Sequence, residues 1–137
     1  MPGEQRPPAA AKRILIVEDN ELNMKLLNDV LEAHGYDIVK TGQGREAITM
    51  ARELHPDLIL IDIQLPDISG LEVSRRLKGD PHTRPIPLIA VTAFAMAGDE
   101  RKTLDSGCDA YVAKPIMLNA FLALVARFIG TSSGEPA

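Results

Sequence analysis

Ile14-Leu15-Ile16-Val17, Leu58-Ile59-Leu60-Ile61 and Leu88-Ile89-Ala90-Val91 are each a tetrapeptide of Ile, Leu, Val or Ala alone, apolar at every position. A strand with one face in water alternates polar and apolar residues, so runs apolar on both faces need cover on both faces. The intervening segments supply it. Glu21 to His34 sets Leu22, Leu26 and Val30 at helical spacing and stops at Gly35. Gly44 to Leu54 is a second helical stretch, ended at His55-Pro56 because the residue before proline disfavours helical dihedrals. A short strand is expected between these helices near Ile38-Val39. Gly70 to Lys78, Met96 to Ser106 and Leu118 to Ile129 complete the helices, the last aligning Leu118, Leu122, Val125 and Ile129, and Ala110-Tyr111-Val112-Ala113 is a final strand.

Strands buried on both faces and alternating with helices predict an α/β fold with a parallel sheet covered on both sides. For a (βα)5 chain the common doubly wound solution is the flavodoxin-like five-stranded order 2-1-3-4-5, with its switch point between strands 1 and 3. The 137 residues suit one domain, expected over 12–130. The flanking 1–11 and 131–137 carry too little apolar surface to offset the entropy of ordering and are expected to be disordered tails. A net charge of −4 without a Lys/Arg run argues against direct nucleic-acid binding. The single cysteine, Cys108, excludes an internal disulfide framework. No apolar run approaches transmembrane length and no secretory signal opens the chain, so a cytoplasmic protein is expected.

The chemistry collects where the strands end. Glu18-Asp19 follows the first strand and Asp62 the third, the two strands that flank the switch point. Three carboxylates in one cleft repel each other and resist desolvation, so a cation is expected to join them, and oxygen-only ligands favour Mg²⁺. Thr92 ends the fourth strand and Lys114, before Pro115, ends the fifth. Acids, a cation, a hydroxyl and an ammonium around one point suit a phosphoryl group, with Asp62 central enough to be its covalent acceptor.

Together, Glu18-Asp19, Asp62-Ile63-Gln64-Leu65-Pro66, Gly70, Thr92-Ala93 and Lys114-Pro115 resemble the receiver domain of bacterial two-component response regulators, over nearly all of Lys12–Gly130. The segments Val17–Leu26 and Val91–Met96 look closest to its single-domain cell-division branch. The resemblance implies a CheY-like fold in which Asp62 takes a phosphoryl group from the phosphohistidine of a sensor histidine kinase or a phosphotransfer protein. It implies direct Mg²⁺ ligation by Asp19, Asp62 and the backbone carbonyl of Gln64, with Glu18 acting through water. Lys114 would pair with the phosphoryl oxygens, Thr92 would hydrogen-bond one, and the Ala93 amide would assist. Pro115 would follow a cis peptide bond. Tyr111 would be the switch aromatic that turns inward as Thr92 moves, and Gln64 and Phe94 would flank the path of hydrolytic water and tune the lifetime. Met24, Leu27 and Leu31 broaden the first helix's apolar face and read first as core; in that family, however, this helix docks on the kinase, which makes Asn23, Met24 and Leu27 contact candidates. Self-assisted phosphorylation and slow hydrolysis, rather than turnover of a substrate, are expected.

Simpler roles fit the remaining polar residues. Asp57 reads as a helix cap or solvated turn, His34, His55 and His82 as surface residues, and Cys108 as a small packed side chain. A flavin phosphate would be repelled by Glu18-Asp19, the aspartyl-phosphate phosphatases carry a second acid where Gln64 stands, and no phosphate-binding G-x-x-x-x-G-K-[ST] loop is present. The alternative is a receiver-like docking module whose partners bind irrespective of Asp62. With no output module after Gly130, the signal is expected to be read through the domain's own surface, near Met96–Lys102, Tyr111, Ala120, Ala123 and Leu124, as a monomer or weak dimer.

Overall fold

The computed structural model describes residues 12–92, 107–114 and 116–130, with Thr92 described in its backbone alone. Five strands, β1 (Arg13–Val17), β2 (Asp37–Thr41), β3 (Leu58–Asp62), β4 (Leu88–Thr92) and β5 (Ala110–Ala113), pair in parallel in the order β2-β1-β3-β4-β5. This is the expected doubly wound sheet. The described helices are α1 (Glu21–Ala33), α2 (Gly44–Leu54), α3 (Gly70–Gly79) and α4 (Leu118–Ile129). The helix expected over 96–106, the two tails, and Ala93, Phe94 and Pro115 lie outside the described residues. Among the described residues no helix is long and apolar enough to cross a membrane.

The alternation of side chains along each strand divides the core into two layers. Leu15 and Val17 of β1, Ile59 and Ile61 of β3, and Leu88 and Ala90 of β4 pack with Ala47 and Ala51 of α2 and Val73 and Leu77 of α3. Ile14 and Ile16, Leu58 and Leu60, and Ile89 face the other way, onto Leu27 and Leu31 of α1 and Phe121 and Val125 of α4. Every residue of β3 is buried, and each Leu or Ile so buried contributes about 1.5–3 kcal/mol over its exposed state. The strand that ends in Asp62 is therefore firmly held in the sheet.

Three local expectations are corrected. On α1, Leu22 is 76% and Leu26 44% exposed, whereas Leu27 and Leu31 are buried and Met24 packs beside them. Helical periodicity gives the spacing of an apolar stripe; which of two neighbouring stripes faces inward is decided by docking on the sheet. On α4 the buried residues are Phe121 and Val125, with Leu118 at the exposed edge, for the same reason. Asp57 is half-buried rather than solvated: its carboxylate accepts from the Arg13 amide at 2.8 Å while its own amide donates to the Arg13 carbonyl at 2.7 Å, lacing β1 to the start of β3. The histidines are exposed as expected, and His55 ends α2 in the left-handed conformation, φ 47°. Cys108 is buried with its sulfur 3.2 Å from the Ser74 hydroxyl.

Candidate functional site

At the carboxyl end of the sheet, the pairing of β1 with β2 continues past Val17: the Glu18 amide donates to the Thr41 carbonyl at 3.0 Å, which holds Glu18 over the sheet edge, only 3% exposed. Asn20 then caps α1, its side-chain oxygen accepting from the Asn23 amide at 2.9 Å, while the Asn20 amide donates to Glu18 Oε2 at 3.2 Å. The tight turn leaves Asp19 exposed next to the buried Glu18. Asp62 closes β3 at 5% exposure and accepts from the Gln64 amide at 3.0 Å through Oδ1. From the residue after β5, Lys114 reaches back across the switch point to place Nζ 3.2 Å from Glu18 Oε1 and 3.2 Å from Asp62 Oδ2.

Two buried acids around one ammonium carry more negative charge than the space accommodates. The Glu18 carboxyl is pushed up to about 7, by burial first and then by the hydrogen bond and the charge of neighbouring Asp62. Burial also works against the Lys114 ammonium, but the charges of Asp62 and Glu18 outweigh it and hold Lys114 above its usual value. One carboxylate oxygen each from Glu18, Asp19 and Asp62 lies within 4.8 Å of the others. Such an all-oxygen set fits a hard divalent cation, whose charge takes the place of the proton that Glu18 retains without it. The shift in Glu18 has a measurable consequence. A carboxyl raised in the folded state from 4.5 to about 7 contributes stability that is complete below about pH 4.5 and lost as pH rises through about 7, an effect of no more than about 3 kcal/mol. In EDTA, Glu18→Gln is therefore expected to gain melting temperature relative to the parent chain between pH 5 and pH 8. A difference independent of pH across that window would mean that Glu18 is not held protonated.

Glu18, Asp19, Asp62 and Lys114 thus converge as the strand order requires. The backbone of Thr92 pairs with Ala113, one residue before Lys114. Gln64 is exposed at the rim of the cleft, and Tyr111 is half-buried on β5, where it lines an apolar groove with Met117, Ala120 and Leu124. Sequence reasoning passed over Asp67. This exposed residue of the β3–α3 loop accepts from the Gly44 amide at 2.8 Å and the Arg45 amide at 2.9 Å, closing the first turn of α2 from a distance of more than twenty residues. A signal for it existed: α2 starts after Gln43, a poor capping residue that makes no side-chain capping bond. Thr41 also escaped notice; its hydroxyl bonds Glu46 and accepts from the Gln43 amide at 3.2 Å, tightening the β2–α2 turn.

Residues 14–126 match the model of the response regulator receiver domain. The chain belongs to that family. This receiver is 56% identical over 119 residues to the polar-differentiation response regulator DivK of Brucella ovis, covering 87% of this chain and 97% of that protein. It is 55% identical over the same length to the DivK of Brucella anthropi. Among solved structures, the receiver domain of a sensor histidine kinase from Pseudomonas aeruginosa PAO1, which holds a magnesium ion in its active-site cleft, superposes with a TM-score of 0.82 at 33% identity, covering 89% of this chain and all of that one. The chemotaxis regulator CheY4 of Vibrio cholerae shares the fold, with a TM-score of 0.82 at 20% identity, covering 88% of this chain and 100% of that chain.

Proposed function

We propose that this receiver takes a phosphoryl group onto Asp62 from the phosphohistidine of a sensor kinase or phosphotransfer protein, and that it signals through protein contacts in control of cell division. The observation that carries the reading is the sharing of one ammonium, Lys114, by two buried carboxylates at the switch point of the sheet. The acidic set and the magnesium-bearing neighbour support a Mg²⁺ site, and the identity to DivK supports the cell-division role.

In this reading a carboxylate oxygen of Asp62 attacks phosphorus, the bond from phosphorus to the donor imidazole nitrogen breaks, and its electron pair returns to the imidazole. Lys114 moves from pairing with Asp62 to pairing with the oxygens of the transferred group. Asp19, Asp62 and the Gln64 carbonyl would hold Mg²⁺, with Glu18 acting on it indirectly, and the ion would supply positive charge to offset that of the phosphoryl oxygens. Water later cleaves the acyl phosphate, releasing inorganic phosphate and restoring the Asp62 carboxylate, at a rate that Gln64 helps to tune. Thr92 and Tyr111 act as the switch. On α1, exposed Leu22 and Leu26 replace buried Leu27 among the docking residues, next to the partly exposed Asn23 and Met24. The receiver acts in the cytoplasm as a monomer or weak dimer, meeting membrane-bound kinases through this face.

Incubation with acetyl phosphate and Mg²⁺, followed by borohydride reduction and peptide mapping, is expected to place one modification on Asp62. Modification elsewhere, or none from either acetyl phosphate or a phosphorylated kinase, would return the protein to the docking-module reading.

A further inference from the structure

The loop that follows Asp62 is closed at its base by the Gly70 amide donating to the Ile63 carbonyl at 2.8 Å, while Ile63 itself donates to the Val91 carbonyl at 3.1 Å. Its far end is held differently. Leu65 and Ile68 lie partly buried against the first core layer, and Asp67 sends its carboxylate to the Gly44 and Arg45 amides. Those two bonds hold the Asp67 carboxyl down to about 2 and so keep it ionised at neutral pH. The approach is close: a Cβ at buried Gly44 would come within 2.8 Å of both Ile68 and Val73. The β2–α2 turn just before it abuts the other acidic loop. A Cβ at Gly42 would lie 3.6 Å from Asp19 Cα and from the Glu18 carbonyl oxygen, and Thr41 accepts from the Glu18 amide. The β2–α2 turn therefore touches the backbone that carries Glu18-Asp19 on one side and grips the loop that carries Gln64 on the other.

We infer that Asp67 is a positioning residue for the metal site: by tying the β3–α3 loop to the first turn of α2, it sets the Gln64 carbonyl in register with Glu18, Asp19 and Asp62 before any cation arrives. This rests on the Mg²⁺ site proposed above. Residues that orient ligands without touching the metal typically change its affinity by about 10–100-fold when removed. Without the tether, the loop keeps its base and its Leu65 and Ile68 contacts but gains freedom around Asp67, and fixing that freedom falls to the binding event and appears in the dissociation constant.

Capping and tethering separate cleanly by substitution. Asp67 is exposed, so Asp67→Ala leaves no cavity; it removes a helix cap and a loop anchor together. Gln43 has the extended dihedrals of a capping residue, φ −125° and ψ 135°, so Gln43→Ser can restore a local cap to α2 but cannot hold the loop. Mg²⁺ titrations by calorimetry are expected to show binding weakened about tenfold in Asp67→Ala, less in Asp67→Asn, which keeps one acceptor oxygen. In the double variant Gln43→Ser/Asp67→Ala, the melting temperature in EDTA should recover while Mg²⁺ binding stays weak. Asp19→Asn is the control for the site itself. Parent-like affinity in Asp67→Ala, or affinity restored along with stability in the double variant, would overturn the tether while Asp19→Asn still loses the metal. If Asp19→Asn binds Mg²⁺ as the parent does, both the site and the tether are wrong.

Discussion

Asp62→Asn is expected to accept no phosphoryl group from any donor, and in EDTA to melt no lower than the parent chain. The first outcome follows from loss of the nucleophile, since a carboxamide oxygen cannot form the acyl phosphate. The second follows from charge. In the parent cleft Glu18 and Asp62 compete for Lys114, and Glu18 yields by holding its proton up to about pH 7. An asparagine at 62 keeps an oxygen for the Gln64 amide, donates to Glu18, and lets Glu18 ionise against Lys114 alone. A competing acid is thus exchanged for a donor without emptying any volume. The variant should also lose its response to metal. A cation present at 100 times its dissociation constant stabilises the parent by about 2.7 kcal/mol, a gain that should nearly vanish in Asp62→Asn. Paired thermal melts with EDTA and with excess Mg²⁺ measure both effects. A variant that melts well below the parent in EDTA, or one still stabilised by Mg²⁺ to the parental extent, would remove the electrostatic account of the cleft.

Gly70→Ala should be strongly disruptive. Gly70 opens α3 directly against the end of β3: a Cβ there would lie 2.7 Å from Ile63 Cα, 3.0 Å from the Asp62 carbonyl carbon and closer still to its oxygen. These are backbone atoms at and just beyond the end of fully buried β3, and unlike the end of a flexible side chain they cannot step aside. Overpacking commonly costs 1–3 kcal/mol, and a clash with fixed backbone belongs at the upper end, about 3 kcal/mol. The displacement falls on Asp62, so Mg²⁺ binding should weaken along with stability. Gly79, at the other end of the same helix, is the control: nothing lies within 4 Å of its Cβ position, and Gly79→Ala should be neutral or stabilising by up to about 1 kcal/mol. Urea denaturation of the two variants gives the comparison. Equal effects at 70 and 79 would show that helix propensity, rather than contact with the β3 terminus, governs both.

The distance between sequence and structure differs from residue to residue. Fold class and strand order were legible in the tetrapeptides Ile14–Val17, Leu58–Ile61 and Leu88–Val91, because short runs apolar on both faces have few ways to be covered. The meeting of Glu18, Asp19, Asp62 and Lys114 followed from that order, since each stands just beyond or at the end of a parallel strand and all those ends lie on one edge. Such inferences need only one-dimensional information: period, run length and position relative to a strand end. The phase of a helix is a different matter. Leu22-Leu26-Val30 and Met24-Leu27-Leu31 are equally good stripes in the sequence, and only contact with Ile14, Leu58 and their neighbours turned the second inward. Protonation and tethering lie further still from the sequence. The rise in Glu18 depends on desolvation and on the distance to Asp62, and the grip of Asp67 on Gly44 and Arg45 joins residues far apart in the chain. The sequence by itself determined which layers form, in what order the strands lie and which side chains share the cleft. The tertiary structure alone decided which leucines remain exposed on α1, which acid keeps its proton and what holds the Gln64 loop, because each depends on a distance in space that no periodicity encodes.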